Sequence, residues 1–150
     1  MISKKTKYGL KALHRLGLEY CHQQPVLIAD LASEEKIPKK FLEFILLKLK
    51  NAGILHSKMG KGGGYFLAKP PAQMSVGMVI RVLEGPLSPL PCLSQTAYRK
   101  CEECVDENTC AIRLVMKEVH EATIKILDNT SLEDMMDKSE VCRSAVMYSI

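Results

Sequence analysis

Four cysteines fall close together in the second half of this 150-residue chain: Cys92, Cys101, Cys104 and Cys110, spaced C-x8-C-x2-C-x5-C. Thiolates are soft ligands, and four of them on one short segment form a metal-site signature. Zinc and iron–sulfur clusters both accept this donor set, and spacing alone does not choose between them. A disulfide framework would be the competing use. However, the lysine-rich Met1–Lys7 segment runs into an amphipathic pattern rather than an apolar one, so it does not read as a signal peptide. The expected location is the reducing cytoplasm, with no membrane partner, where thiols act as ligands or reactive groups. A thiol oxidoreductase would set Cys-x-x-Cys at a helix start in a βαβ context, and no such context surrounds Cys101 and Cys104. With no paired carboxylates or nucleophile–base arrangement either, the sequence reads as a non-enzyme. Cys21 and Cys142, like the scattered His14, His22, His56 and His120, read as packing or surface residues.

A second cluster of chemistry lies upstream. Gly60-Lys61-Gly62-Gly63-Gly64 could cradle a nucleotide phosphate, but it sits between two β-prone runs with no following helix and no Gly-Lys-Ser/Thr ending. The alternative is a flexible, cationic hairpin tip, with Lys58 and Lys61 flanking the glycines. Charge supports that use. The net charge of +4 hides 13 Lys and Arg against 5 Asp and Glu in residues 1–70, which is +8, and 8 against 12 in residues 71–150, which is −4. A polyanion such as duplex DNA is the natural partner of the front half.

The elements that must carry these residues are mostly helices. Tyr8, Ala12, Leu16 and Tyr20, broadened by Leu10 and Leu13, predict a first helix that ends at Gln23-Gln24-Pro25. A short helix follows over 29–34. A third opens at Pro38, with an apolar face of Leu42, Ile45, Leu46 and Leu49, and stops at Gly53. Residues 54–58 and 65–68 form the hairpin. Ser75 caps a fourth helix with Val76, Val79, Ile80 and Leu83 inward, ending at Gly85-Pro86. Residues 86–110 have no period and read as a long loop. A long helix spans 111–129, and Ser131 opens a short last helix before a frayed tail.

Helix, helix, turn, helix, hairpin is the order of a winged helix-turn-helix, whose third helix enters the major groove while the wing touches flanking DNA. The expected fold is therefore mainly α with a small β-hairpin. Residues 1–71 are the DNA-binding unit, residues 72–138 hold the cysteine loop (86–110) and the long helix (111–129), and residues 139–150 are a tail. Lys39, Lys40 and Glu43 lie near the start of the third helix, off its apolar face, where side chains can reach bases and phosphates. Glu43 either accepts a hydrogen bond from a cytosine amino group or pairs with Lys39 or Lys40. Lys48 and Lys50 lie further along, suited to phosphate or water. Gly62, Gly63 and Tyr65 complete the candidate wing contacts.

Thr6-Lys7-Tyr8-Gly9, Leu31-Ala32, Leu42-Glu43, Leu49-Lys50-Asn51-Ala52-Gly53 and above all Gly60-Lys61-Gly62-Gly63-Gly64-Tyr65 resemble the Rrf-two family of bacterial winged-helix transcription regulators, the IscR-, NsrR- and CymR-like proteins. The resemblance covers residues 2–135. It implies a homodimer on a palindromic DNA operator, with the long helix as the dimerisation helix. Ile112, Val115, Met116, Val119 and Ile126 are the candidate interface, because one apolar stripe on a long helix in so small a chain calls for a partner surface.

The same resemblance implies a 2Fe–2S cluster as a redox, iron–sulfur or nitric-oxide sensor, with zinc or cluster-less thiol sensing as the alternative. Cys92, Cys104 and Cys110 match the family's three cysteines, and Cys101 is additional. Relatives complete the ligand set with a histidine three residues after the last cysteine, or with an acidic residue near the partner's N-terminus. Arg113 and Lys7 stand in those places here, and neither cation can ligate iron. Cys101, three positions from Cys104, is the expected fourth ligand, with an oxygen ligand from Glu102, Glu103 or Asp106, and Cys101 as a resolving thiol, as the alternatives. A second departure is Met59, at a wing position where relatives often carry arginine.

Overall fold

The computed structural model describes residues 2–149. Helices α1 (Lys4–Leu18), α2 (Ile28–Glu35) and α3 (Lys39–Asn51) precede strands β1 (Leu55–Lys58) and β2 (Gly64–Leu67); α4 (Val76–Glu84), α5 (Ala111–Asp128) and α6 (Leu132–Tyr148) follow. The chain is thus mainly helical with one antiparallel two-stranded sheet, in which Leu55 pairs with Leu67 and Lys58 with Gly64. No described helix is long and apolar enough to cross a membrane.

The α3 stripe packs as its spacing requires. Leu42, Ile45, Leu46 and Leu49 are all 0% exposed, joined in one core by Ala12, Leu13, Leu16, Leu31, Leu55 and Leu67. Burying side chains of this size contributes about 1.5–3 kcal/mol each. Met74, Val79, Leu83 and Leu132 belong to the same core. The core therefore runs across position 71 with no break in packing. Three helix starts follow local rules. The hydroxyls of Ser3, Ser75 and Ser131 accept hydrogen bonds from the backbone N–H groups of Thr6, Met78 and Asp134, and Asp134 closes a capping box with Ser131. Pro38 caps α3 from one position outside the helix, and Gly53 stops it with a left-handed φ of 78°.

Two expectations are corrected. The α1 helix ends at Leu18, before a 3-10 turn at Tyr20–His22; its expected face holds, with Ala12, Leu13 and Leu16 in the core and Tyr8, Leu10 and Tyr20 packed against it, and Gly9 and Gly17 are buried with them. Tyr8 meets Phe41 edge-on at the core's margin, with ring centroids 5.7 Å apart. The last helix is not short, and residues 139–148 are not a frayed tail: α6 runs to Tyr148. Once the capping box has nucleated it, no glycine or proline interrupts the chain through Ser149. Its first turns dock through Leu132, Met135 and Met136, whereas Val141, Val146, Met147 and Tyr148 are exposed.

Candidate functional site

The wing is held by more than its own two strands. Val26 and Tyr65 exchange N–H to carbonyl hydrogen bonds of 2.9 Å each way, which fastens β2 to the segment leading into α2. Gly64 makes this approach possible: its φ is +145°, and a Cβ there would sit 2.3 Å from the Val26 carbonyl oxygen. A Cβ on Gly63 would lie 2.2 Å from the Lys58 oxygen, so this buried glycine has a packing role of its own at the turn. Gly62, Lys61, Met59 and Lys58 are exposed at the tip, and Tyr65 is half-buried.

Lys39, Lys40 and Glu43 are exposed on α3. Lys48 turns away from that surface, and its Nζ donates to the Leu83 carbonyl at the end of α4 at 3.5 Å. Lys11 is similarly engaged, donating to the Glu35 carbonyl at 2.6 Å. Arg15 pairs with Glu34 at 2.6 Å and Glu19 at 2.8 Å, and these carboxylates hold its guanidinium above the ordinary value. The outer side of α3 and the wing thus present Lys39, Lys40, Lys50, Lys58 and Lys61, all exposed. Two large apolar side chains also stand there, Phe44 and Leu47, exposed by 56% and 51%. Their spacing alone signals this, since both fall opposite the Leu42/Ile45/Leu46/Leu49 stripe.

In the 86–110 loop, a 3-10 turn at Pro91–Leu93 buries Cys92. The Cys104 N–H donates to the Cys101 carbonyl at 3.2 Å, a tight turn that brings those two residues together, and Cys110 caps α5 from outside. All four thiols are free. The loop is braced by the Tyr98 hydroxyl donating to Glu107, which pushes the phenol above its usual value, and by the Asp106 carboxylate accepting from the Asn108 N–H and the Thr109 hydroxyl, each at 3.0 Å.

The Cys101 thiol is raised, first by desolvation and then by the charges of Cys92, Glu103, Cys104 and Cys110. Cys101 therefore lies within electrostatic reach of the other three. Among the described residues no three of His, Cys, Asp or Glu already converge on one point. The donor chemistry fits a thiolate-held metal or cluster, whose binding would draw the loop inward. Arg113 lines a cavity of about 510 Å³ together with Cys92, Tyr98, Lys117 and His120, and its Nε is buried without a partner. Lys7 is exposed on α1.

The α5 helix has two unlike faces. Met116, His120, Thr123 and Leu127 line a groove with Ile80 of α4, and Arg81 clamps Asp128 through contacts of 2.6 and 3.0 Å. On the other side Ile112, Val115 and Ile126 are exposed by 68, 62 and 65%, and Val119, 48% exposed, stands at the rim and lines that groove as well. Four of the five expected interface residues thus face outward, while Met116 turns toward its own α4.

A buried helix pair carrying an outward-facing third helix, with a β-hairpin beside it and lysines gathered on both, defines a DNA-binding transcription regulator of the winged helix-turn-helix class. The chain belongs to the Rrf2 family, described as iron-dependent transcriptional regulators, whose model matches residues 2–138. It is 44% identical over 138 residues to an Rrf2-like HTH-type regulator of Rhodobacter capsulatus, covering 91% of this chain and 92% of that one. It is 30% identical over 149 residues to the HTH-type regulator CymR of Bacillus subtilis, covering 99% of each. Among solved structures, the global cysteine regulator CymR of B. subtilis superposes with a TM-score of 0.77 at 30% identity, covering 92% of this chain and 97% of that one. IscR of T. potens gives 0.73 at 29% identity, with 95% and 90% covered. The relatives are regulators rather than enzymes, as the sequence indicated.

Proposed function

We propose that this regulator binds duplex DNA as a homodimer and senses redox, iron–sulfur or nitric-oxide status through a 2Fe–2S cluster held by Cys92, Cys101, Cys104 and Cys110. The observation that carries the reading is the cysteine loop. It holds four free thiols, with Cys101 and Cys104 joined by one tight turn, between the helix that packs on the DNA-binding core and the helix with an exposed apolar face. A bound cluster would supply a redox-active, oxidant-labile centre. Arg113 cannot be a ligand, but it faces the same cavity as Cys92 and offers positive charge to a tetrathiolate centre.

On the DNA side, Lys39, Lys40 and Glu43 face base edges, while Lys58, Lys61, Gly62 and Tyr65 place the wing against the backbone and buried Gly63 shapes the turn beneath them. Ile112, Val115, Val119 and Ile126 form the two-fold helix pair, with Met116 at its margin. Reshaping of residues 92–110 moves α5 and alters the spacing of the two α3 helices. The test is Cys101→Ala and Cys101→Ser, purified without oxygen, reading iron content, visible spectrum and operator binding. Loss of iron and a shifted spectrum are expected; a full cluster with an unchanged spectrum in both variants would remove Cys101 from the ligand set.

A further inference from the structure

The outer face of α3 is not the polar surface that a helix packed on one side normally presents. Relative to the buried Leu42/Ile45/Leu46/Leu49 stripe, the opposite face is centred on Lys40, Phe44, Leu47 and Asn51, all exposed, with Phe44 at 56% and Leu47 at 51%. Three residues apart, Phe44 and Leu47 are neighbours on the helix surface. They form an apolar ridge in a cationic field, with Lys39, Lys40 and Glu43 on the N-terminal side and Lys50 beyond. Substituting either would cost the core nothing, since neither belongs to it. The field of lysines argues for a polyanionic occupant rather than a second protein.

In a B-form major groove the apolar feature that such a ridge can meet is the 5-methyl group of thymine; the other groups on the base edges there are hydrogen-bond donors and acceptors. We propose that Phe44 and Leu47 read thymine methyl groups, so that part of each half-site is specified by apolar contact rather than by the hydrogen bonds of Lys39, Lys40 and Glu43. This rests on the reading above that α3 enters the major groove. It adds which bases the helix selects and by what chemistry.

Replacement of thymine by deoxyuridine tests it, because deoxyuridine keeps every pairing and groove hydrogen-bonding group and lacks only the methyl. The preferred duplex is first recovered from a random pool with the full-length protein. Each thymine is then replaced singly, and affinity is measured at one salt concentration. One or two positions per half-site should weaken binding on the order of fivefold, the scale of a lost base contact. Phe44→Ala or Leu47→Ala should bind the parent and the deoxyuridine duplex alike at the matching position, while Phe44→Leu keeps part of the difference. Thermal melts of the variants should match the parent. Wild-type protein indifferent to complete deoxyuridine replacement would overturn the assignment. So would a Phe44→Ala protein that keeps the full thymine preference, or one whose only change is its state of association, which would mark the ridge as a protein contact. Failure to recover any preferred duplex would defeat the DNA-docking reading itself, a result distinct from indifference to the methyl group.

Discussion

The front and back of this molecule differ in how completely one chain satisfies them. Around α1 to α4 the apolar stripes are buried against one another, the helix starts are capped, and the wing is tied back through Val26. Around α5 and the cysteine loop, six large aliphatic side chains face solvent (Val105, Ile112, Leu114, Val115, Val119 and Ile126), four thiols share one loop without converging, and two of the three buried unpartnered polar atoms among the described residues, Arg113 Nε and His120 Nδ1, are found there, the third being His14 Nε2 of α1. Buried unsatisfied polar atoms are rare enough in folded proteins to call for an explanation. On the proposed reading, the front is a finished reading head and the back a control region that a second copy, a metal centre, or both would complete.

That contrast can be broken most strongly in the core. Leu46→Ala should destabilise the chain by about 2–5 kcal/mol, because Leu46 is fully enclosed. Val119→Ala, at a 48% exposed site, should change the stability of the dilute monomer by less than about 0.5 kcal/mol. Denaturant titrations at low and high protein concentration distinguish the two. A concentration-independent loss at Val119 would mean that the α5 stripe belongs to the intrachain core.

Next in size is the effect of a charge on that stripe. Val119→Glu should leave the fold intact and abolish the dimer, lowering operator affinity on the order of a hundredfold as bivalent binding is lost. Sedimentation and anisotropy on the same samples check both halves of the expectation. A smaller loss should follow Lys61→Ala: affinity for all DNA falls together, and the salt dependence shallows by about one unit, because one phosphate contact is removed. A changed site preference with unchanged non-specific affinity would place Lys61 on a base instead.

The smallest expected effect concerns the N-terminal end of α1. The hydroxyls of Ser3 and Thr6, and then the Ser3 N–H, which donates to Glu84 at 2.6 Å, lower the Glu84 carboxyl from 4.5 to about 2. A depressed carboxylate contributes stability above its unfolded value and loses it as pH falls toward the folded one. Glu84→Gln should therefore be slightly less stable than the parent at neutral pH, with the gap closing between pH 4.5 and about 2. A gap that stays constant through that window would assign the loss to packing rather than to charge.

What could be read from sequence follows the same division. The α3 stripe, the caps at Ser75 and Ser131 and the left-handed Gly53 are local rules, and each appears where its residues demand. On α1 the apolar spacing picks out Ala12, Leu13 and Leu16, whereas Gly9 and Gly17 give no hydropathy signal, yet they are where Leu83 and Met136 press close. The Val26–Tyr65 bridge joins residues far apart in sequence, beyond the reach of any short period. The length of α6 was missed because its exposed C-terminal half has no apolar stripe, and only the lack of a breaker signals its continuation. In the cysteine loop, residue identities name the donors. Which ones meet a metal depends on a loop conformation that periodicity does not encode.

The account turns on whether occupancy of that loop controls the reading head. Protein purified without oxygen should be brown, with iron and acid-labile sulfide in equal amounts, and its affinity for the selected operator should change when the cluster is removed by chelation or nitric oxide. A colourless protein free of iron and sulfide, or a brown one that binds the operator identically before and after cluster loss, would contradict it.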